Sequence, residues 1–518
     1  MTALSPPAAS YQAAVCPAPA RPVLHFTPPA GWMNDPNGLV FFEGEYHLFY
    51  QYYPHDRVWG PMHWGHAVSR DLVHWQHLAP ALAPDEAGMC FSGSAIVDRH
   101  DTSGLFEGEP GLLAFYTAHR TAPDDPEDYV QEQCLAYSRD RGRSWHRYAG
   151  NPIMANPGRR DFRDPKVIWH APSRRWVMAL ACGQAIQFHV SADLLTWRLA
   201  STFGEGQGAH TRHPWECPDL FELPVADTGE TRWVLVVGIG ASEDNPFGSF
   251  TQYFVGDFDG ERFHNENPAE RVLMMDEGRD FYAVQSWSDL PEADGRRLAI
   301  AWLNNWLYAN QIPEAGWRGA MSFPRELSLL ATPEGVRLRQ AFAREWRETC
   351  REIGRERGRE KGRESAGGAV SVATPERPLA AGRHVLLDGG ARAAHGRLVL
   401  GLTVGARVSL DLQQGEHQVL ELTADEAGVT VRHRRRGQNG DDVFDTHFSH
   451  DQAVGRLKGR GVELEWLVDD GSLELLLDGG RLAITQLSFA VPAGRPLALA
   501  VAAGECRVAA FDYRALTG

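Results

Sequence analysis

Ser69-Arg70-Asp71-Leu72-Val73-His74-Trp75 returns twice in close copy, as Ser138-Arg139-Asp140-Arg141-Gly142-Arg143-Ser144-Trp145 and Ser191-Ala192-Asp193-Leu194-Leu195-Thr196-Trp197. Asp257-Phe258-Asp259-Gly260-Glu261-Arg262-Phe263 is a looser fourth copy. In each, Ser and Asp oxygens can accept turn amides while the closing aromatic returns to pack between sheets, the chemistry of a hairpin tip. Unrelated hairpins share that chemistry, so spacing has to decide. Offsets of 69, 53 and 66 residues suit one four-stranded sheet per copy, the period of a β-propeller. Around the copies lie aromatic-rich strands such as Tyr46-His47-Leu48-Phe49-Tyr50 and Trp233-Val234-Leu235-Val236-Val237, and long helical periodicity is absent. The first 330 residues therefore read as all-β.

At 518 residues the chain exceeds one ordinary core, so two domains are expected. Residues 1–23 read as an extended arm, since no positive charge precedes Arg21 and Pro6, Pro7, Pro17, Pro19 and Pro22 break any apolar run. Residues 24–337 hold the propeller. Residues 338–368 alternate Arg with Glu, as in Arg344-Glu345-Trp346-Arg347-Glu348, and read as a charged linker, partly helical or disordered. Residues 369–518 carry alternating strands such as Val462-Glu463-Leu464-Glu465-Trp466-Leu467-Val468, the pattern of a β-sandwich.

Hydrophobic residues at 43% and charged ones at 23% describe a globular protein. A net charge of −16 disfavours nucleic acid and anionic membrane as partners, because phosphate is held mainly by Lys and Arg, while a neutral sugar is compatible with it. No apolar run approaches the roughly 20 residues of a membrane span. Seven cysteines, Cys16, Cys90, Cys134, Cys182, Cys217, Cys350 and Cys506, are scattered and odd in number. They read as reduced thiols, which favours a cytoplasmic location, with secretion compatible if a leader is missing. His63 and His66, or His74 and His77, point to opposite faces of a strand, so no metal site is expected, and no cofactor.

Trp32-Met33-Asn34-Asp35-Pro36-Asn37-Gly38 is rich in turn formers, and taken alone it reads equally as a plain turn or as a carboxylate fixed beside an aromatic wall. Asp161-Phe162-Arg163-Asp164-Pro165 and Trp215-Glu216-Cys217-Pro218-Asp219 each set a further acid among Arg, Pro and aromatic residues. Together Asn34-Asp35-Pro36-Asn37-Gly38, Arg163-Asp164-Pro165 and Glu216-Cys217-Pro218-Asp219 resemble, in order, the three signatures of glycoside hydrolase family 32, the invertase, levanase and exo-inulinase group. Phe49-Tyr50-Gln51, Trp59-Gly60-Pro61-Met62-His63-Trp64, Phe91-Ser92-Gly93-Ser94, Asp280-Phe281-Tyr282-Ala283 and Trp317-Arg318-Gly319-Ala320-Met321-Ser322 extend the resemblance over roughly residues 24 to 330.

The resemblance implies five blades, a C-terminal sandwich, and an exo-acting retaining β-fructofuranosidase acting on levan, inulin-type chains or sucrose. Such chemistry needs an attacking carboxylate and a carboxylic acid, in retaining enzymes roughly 5 to 5.5 Å apart. Asp35 is the implied nucleophile, with its charged form expected to be held by the amides around Asn34, Asn37 and Gly38. Glu216 is the implied acid and later base, with its affinity for protons raised by poor solvation. Asp164 is the third acid, binding sugar hydroxyls. Asn34, Gln51, Trp59, Phe91, Ser92, Arg163, Cys217, Tyr282 and Trp302 are the implied substrate-binding residues. Asp280 is expected to support Arg163 or Glu216. Two other outcomes stay open at this point: fructosyl transfer, in which a sugar hydroxyl replaces water, and a catalytically inactive carbohydrate-binding propeller. Pairing of copies through the sandwich is a further expectation.

Overall fold

The computed structural model describes residues 21–122, 125–226, 228–313, 315–347, 369–371, 378–415, 417–437, 441–489 and 495–516. The expected arm before residue 21 and most of the expected charged linker, residues 348–368, lie outside these, as do Cys16 and Cys350. The five described cysteines are free. No helix among the described residues is long and apolar enough to cross a membrane.

Five four-stranded antiparallel sheets form the first domain. Blade I comprises β1 (Gly31–Phe42), β2 (Glu45–Tyr53), β3 (His63–Ser69) and β4 (Trp75–His77). Blade II comprises β5 (Met89–Asp98), β6 (Gly111–Ala122), β7 (Asp125–Ser138) and β8 (His146–Arg147). Blade III comprises β9 (Arg163–His170), β10 (Arg175–Ala181), β11 (Ile186–Ser191) and β12 (Arg198–Phe203). Blade IV comprises β13 (Trp215–Ala226), β14 (Thr231–Ile239), β15 (Phe250–Phe258) and β16 (Phe263–Asn265). Blade V comprises β17 (Tyr282–Ser286), β18 (Arg297–Trp302), β20 (Arg325–Thr332) and β21 (Gly335–Phe342), while the intervening β19 (Trp317–Arg318) lies parallel to β1 and helps to close the ring. The first strands of the blades, β1, β5, β9, β13 and β17, touch one another in cyclic order and so line the axis. Middle strands such as β14 are Val- and Leu-rich and buried on both faces, because blade packs against blade.

The repeated segments are the turns between third and fourth strands of blades I to IV. In blade I, Asp71 Oδ1 accepts the amides of Val73 and His74 and the Ser69 hydroxyl, at 2.8 to 3.0 Å. Trp75 Nε1 returns to the Leu72 carbonyl at 3.1 Å. Blade III repeats this with Asp193, Ser191 and Trp197, and blade IV keeps the Asp259 contacts to Glu261 and Arg262.

Two sequence expectations change. The heptapeptide 32–38 is no turn but part of β1, where the register against β2 slips between Met33 and Pro36 and again between Asn37 and Val40. Turn-forming residues here serve two bulges, and Gly38 sits at φ +50 where a Cβ would meet the Phe49 ring at 2.7 Å. Blade V, meanwhile, runs to Phe342, past the expected boundary at 337. Its Arg337 and Arg339 sit partly or fully in solvent while Leu338, Gln340 and Phe342 are buried, so the charged half of the pattern belongs to a half-buried strand.

Two six-stranded antiparallel sheets build the sandwich, one joining Ala394–Leu402, Gly461–Asp469, Ser472–Leu477 and Cys506–Ala515, the other Arg407–Leu412, Gln418–Asp425, Gly428–Arg435 and His450–Lys458, among others. A polar network joins it to the propeller. Arg325 of blade V donates to Asp276 Oδ2 at 2.8 Å and to Glu474 Oε2 at 2.6 Å. His25 reaches Asp469 Oδ2 at 2.9 Å and Glu474 Oε1 at 2.8 Å. Burial alone would drive the His25 imidazole toward neutrality, but the hydrogen bonds to Asp469 and Glu474 hold it protonated up to about 9.

A group whose proton is held more tightly in the folded chain stabilises it fully below the unfolded pKa and ceases to as pH passes the folded one. His25→Gln should therefore lower the unfolding midpoint most below pH 6.5, with the gap to the wild type closing as pH rises through about 9. Thermal unfolding of both proteins across that range tests this, and a gap that widened with pH would contradict it.

Candidate active site

Every axial strand loses register at its start. Slips occur at Met33/Pro36 in β1, Phe91/Gly93 in β5, beside Arg163 and Asp164 in β9, at Glu216/Asp219 in β13 and at Tyr282/Gln285 in β17. In three of them a residue other than glycine takes up the left-handed region: Asp164 (φ 64), Cys217 (φ 47) and Ala283 (φ 52). A bulge re-aims side chains that strict alternation would send to opposite faces, and here it turns acids toward the axis. The result is a cavity of about 410 Å³ lined by Asn34, Asp35, Gln51, Trp59, Phe91, Ser92, Arg163, Asp164, His213, Glu216, Ala241, Trp306 and Asn310.

Asp35 accepts hydrogen bonds from Ser92 Oγ at 2.7 Å and Asn34 Nδ2 at 3.0 Å, and Asn34 is itself held by Trp32 Nε1 at 2.8 Å. The Cys217 thiol lies 3.5 Å from Asp35 Oδ2 and 3.6 Å from Asp164 Oδ2, and the Cys217 amide donates to Asp164 at 2.9 Å. Arg163 donates to Glu216 Oε1 at 3.1 Å and to Asp161 Oδ1 at 2.6 Å. Tyr282 donates its hydroxyl to Glu216 Oε2 at 2.5 Å. Three carboxylates from three blades thus share one cavity with a single guanidinium among them.

The order of proton affinities in the cavity is the reverse of the sequence expectation. Burial, with the nearby Glu216 charge, raises Asp35 despite its hydrogen bonds from Ser92 and Asn34. Of the three expected amides only that of Asn34, through its side chain, donates to Asp35 among the described residues, so its charge is less well solvated than the sequence suggested. Burial likewise raises Asp164, to about 7, against the pull of Arg163. Burial acts upward on Glu216 too, but His213, Arg163 and Tyr282 outweigh it and hold the carboxylate ionised.

Of the residues expected at the substrate, Asn34, Gln51, Trp59, Phe91, Ser92 and Arg163 line the cavity. Cys217 and Tyr282 stand one layer behind, reaching it through Asp35, Asp164 and Glu216. Trp302 is fully buried, packed against Trp306 with ring centroids 4.7 Å apart, and it is Trp306 that lines the cavity instead. Asp280 touches neither Arg163 nor Glu216: it accepts from Tyr308 at 2.5 Å and pairs with Arg435 of the sandwich. His213, Ala241, Trp306 and Asn310 escaped the sequence reading because they sit in connections without a recognisable spacing.

Residues 25–341 match the Glycosyl hydrolases family 32 N-terminal domain. A levanase of Bacillus subtilis is 43% identical over 96% of this chain and 70% of its own length. The chain belongs to glycoside hydrolase family 32. An extracellular exo-inulinase of Aspergillus niger is 40% identical over 60% of the hydrolase and 62% of its own length. A second levanase, from a Bacillus species, is 36% identical over 96% of this chain, which spans about half of that relative, 52%. Among solved structures, the exo-inulinase of Aspergillus awamori superposes with a TM-score of 0.80 at 30% identity, covering 96% of the hydrolase and 99% of that chain. A β-fructofuranosidase of Schwanniomyces occidentalis bound to fructosyl-erythritol gives 0.79 at 27%, over 97% and 99%. The match extends through propeller and sandwich alike.

Removing the Ser92 hydroxyl takes a hydrogen bond from the charged form of Asp35. In Ser92→Ala, Asp35 should therefore ionise at higher pH than in the wild type. Carbon-13 titration of labelled aspartate carboxyls, assigned with Asp35→Asn, reads this; an unchanged or lower titration point would contradict the geometry.

Proposed function

We propose that the hydrolase removes terminal β-fructofuranosyl units from fructans, and from sucrose, with retention of configuration. The observation that carries this reading is the convergence of Asp35, Asp164 and Glu216 from three bulged axial strands into one cavity. A cavity in place of an open groove suits exo action, and the family's levanases, exo-inulinases and invertases support the substrate class.

Asp35 attacks the anomeric carbon and forms a fructosyl ester as the bond to the leaving oxygen breaks. Glu216 gives its proton to that oxygen, then takes one from the water that cleaves the ester. Asp164 and Arg163 bind sugar hydroxyls as charge develops on the ring. For the first step the proton of the cluster has to be on Glu216. Sugar hydroxyls donating to Asp164 favour its charged form, and expulsion of water disfavours that of Glu216. Substrate binding thereby moves the proton from Asp164 to Glu216, and the three acids titrate as one coupled set.

Glu216→Gln should lower kcat/KM on levan and sucrose by about 10² to 10⁴, and far less on p-nitrophenyl β-D-fructofuranoside, whose nitrophenolate departs without a proton. Asp35→Ala should fail on all three. Steady-state kinetics decide it, and an equal loss on all substrates in Glu216→Gln, or full activity in either variant, would sink the assignment.

Tyr282→Phe removes a hydrogen bond that favours ionised Glu216, so Glu216 should keep its proton to higher pH. The alkaline limb of the kcat/KM profile is then expected to move upward in pH; a shift downward would rule out the acid role of Glu216.

A further inference from the structure

Asp164 holds its place against two disadvantages. Its backbone lies in the left-handed region, at φ 64, which costs free energy for any residue with a Cβ. It is also outside the ladder: β9 is the edge strand of blade III, and its register with β10 passes from Ala179↔Lys166 to Ala181↔Arg163, skipping Asp164 and Pro165. Something beyond its own sheet has to hold this segment.

The neighbouring blade supplies it. Phe115 of β6 and Leu135 of β7 pack against Phe162 and Val167 of blade III in an apolar contact. Two residues nearer the cavity the same face of blade II turns polar, with Thr117 opposite Gln133 and His119 opposite Gln131 across the two strands. Thr117, Gln131 and Gln133 are fully buried, a cost that only hydrogen bonds offset. Those bonds run to residues 162–164. Thr117 Oγ1 accepts the Asp164 amide at 3.0 Å and donates to Gln133 Oε1 at 2.8 Å, and Gln133 Nε2 donates to the Phe162 carbonyl at 2.7 Å. Gln131 Oε1 accepts the Phe162 amide at 2.8 Å and Arg163 Nη1 at 3.3 Å.

The Phe162 carbonyl and the Asp164 amide, on either side of Arg163, are the two groups that a parallel strand paired with Arg163 would take. Two side chains do so here. Their directions are fixed, because the Asp164 amide can only donate: the Thr117 hydroxyl must accept it and pass its own proton to Gln133, whose Nε2 is left for the Phe162 carbonyl. Packing alone would be met by valine at 117, which has the same shape and no hydroxyl.

We propose that Thr117 and Gln133, with Gln131 beside them, are positioning residues that stand in for a missing strand at Arg163 and keep Asp164 in the backbone conformation that aims its carboxylate into the cavity. This rests on the reading of Asp164 as the acid that binds sugar hydroxyls as charge develops on the ring. Thr117→Val should lower kcat on sucrose about 10- to 100-fold, the effect of a small displacement at a reacting centre. KM should change little, since the lost interaction belongs to the transition state. Thr117→Ser, which keeps the hydroxyl, should recover most of the rate. Gln133→Met opens the same ring at its other member, so it should show the same loss and carries the test where Thr117→Val does not fold. In an Asp164→Asn background either change should cost no more than about twofold, because its route of action is already removed. The full loss repeated in that background would overturn the proposal, as would a serine variant no better than valine. Asp164→Asn with the wild-type rate would instead overturn the role given to Asp164, and the proposal with it.

Discussion

Three carboxylates crowd one small cavity, and Arg163 is the guanidinium that stands among them. It bridges Glu216 and Asp161 while sitting beside Asp164 in the chain. Burial has already removed most of the water that would otherwise separate like charges, so their repulsion is felt through a low dielectric. One proton must be shared by the set, and its position is decided by which acid has the better partners. Glu216 has Arg163 and Tyr282, whereas Asp164 has chiefly the Cys217 amide and thiol. The electrostatics of the cavity thus follow from which strand brings which neighbour, and the acids are close only because all axial strands bulge at the same level.

Those bulges also explain what could be seen in the sequence. The four copies were legible because an Asp whose side chain accepts amides two to four residues ahead is a local device, complete within seven or eight residues. Blade V escaped because its corresponding turn uses Thr332 and Gly335, and because residues 303–316 interrupt it with the loop carrying Trp306 and Asn310. The segment around Asp35 was misread for the opposite reason. Its turn formers are real, but a bulge in a paired strand needs the same backbone freedom as a turn, and only the register against β2 distinguishes them.

The three acids could be found from their motifs; their proton affinities could not. Affinity depends on Ser92, His213, Arg163 and Tyr282, which come from other strands and from a loop, so no spacing along the chain announces them. Trp302 and Trp306 make the same point in packing. They lie four residues apart, and which one is walled in is settled by Trp32 and the strand partner of Trp302, Tyr282, both distant in sequence.

The sandwich, finally, is joined to the three-acid cavity by more than a seam of apolar contacts. Arg435, fully buried in it, pairs with Asp280 and donates to Tyr308 at 2.7 Å, and Leu487 donates its amide to Asp280 at 2.8 Å. Asp280 lies two residues before Tyr282, whose hydroxyl holds Glu216; Tyr308 lies two before Asn310, which holds the Trp59 amide. One guanidinium from the second domain therefore fixes both the support of the acid and the loop at the mouth. Loss of a buried ion-pair partner leaves its counterpart uncompensated, at a cost of about 3–5 kcal/mol. The propeller alone would retain its three acids, but Asp280, beneath the strand that positions Tyr282, would lose both Arg435 and the Leu487 amide. The second domain is in this sense part of the candidate active site.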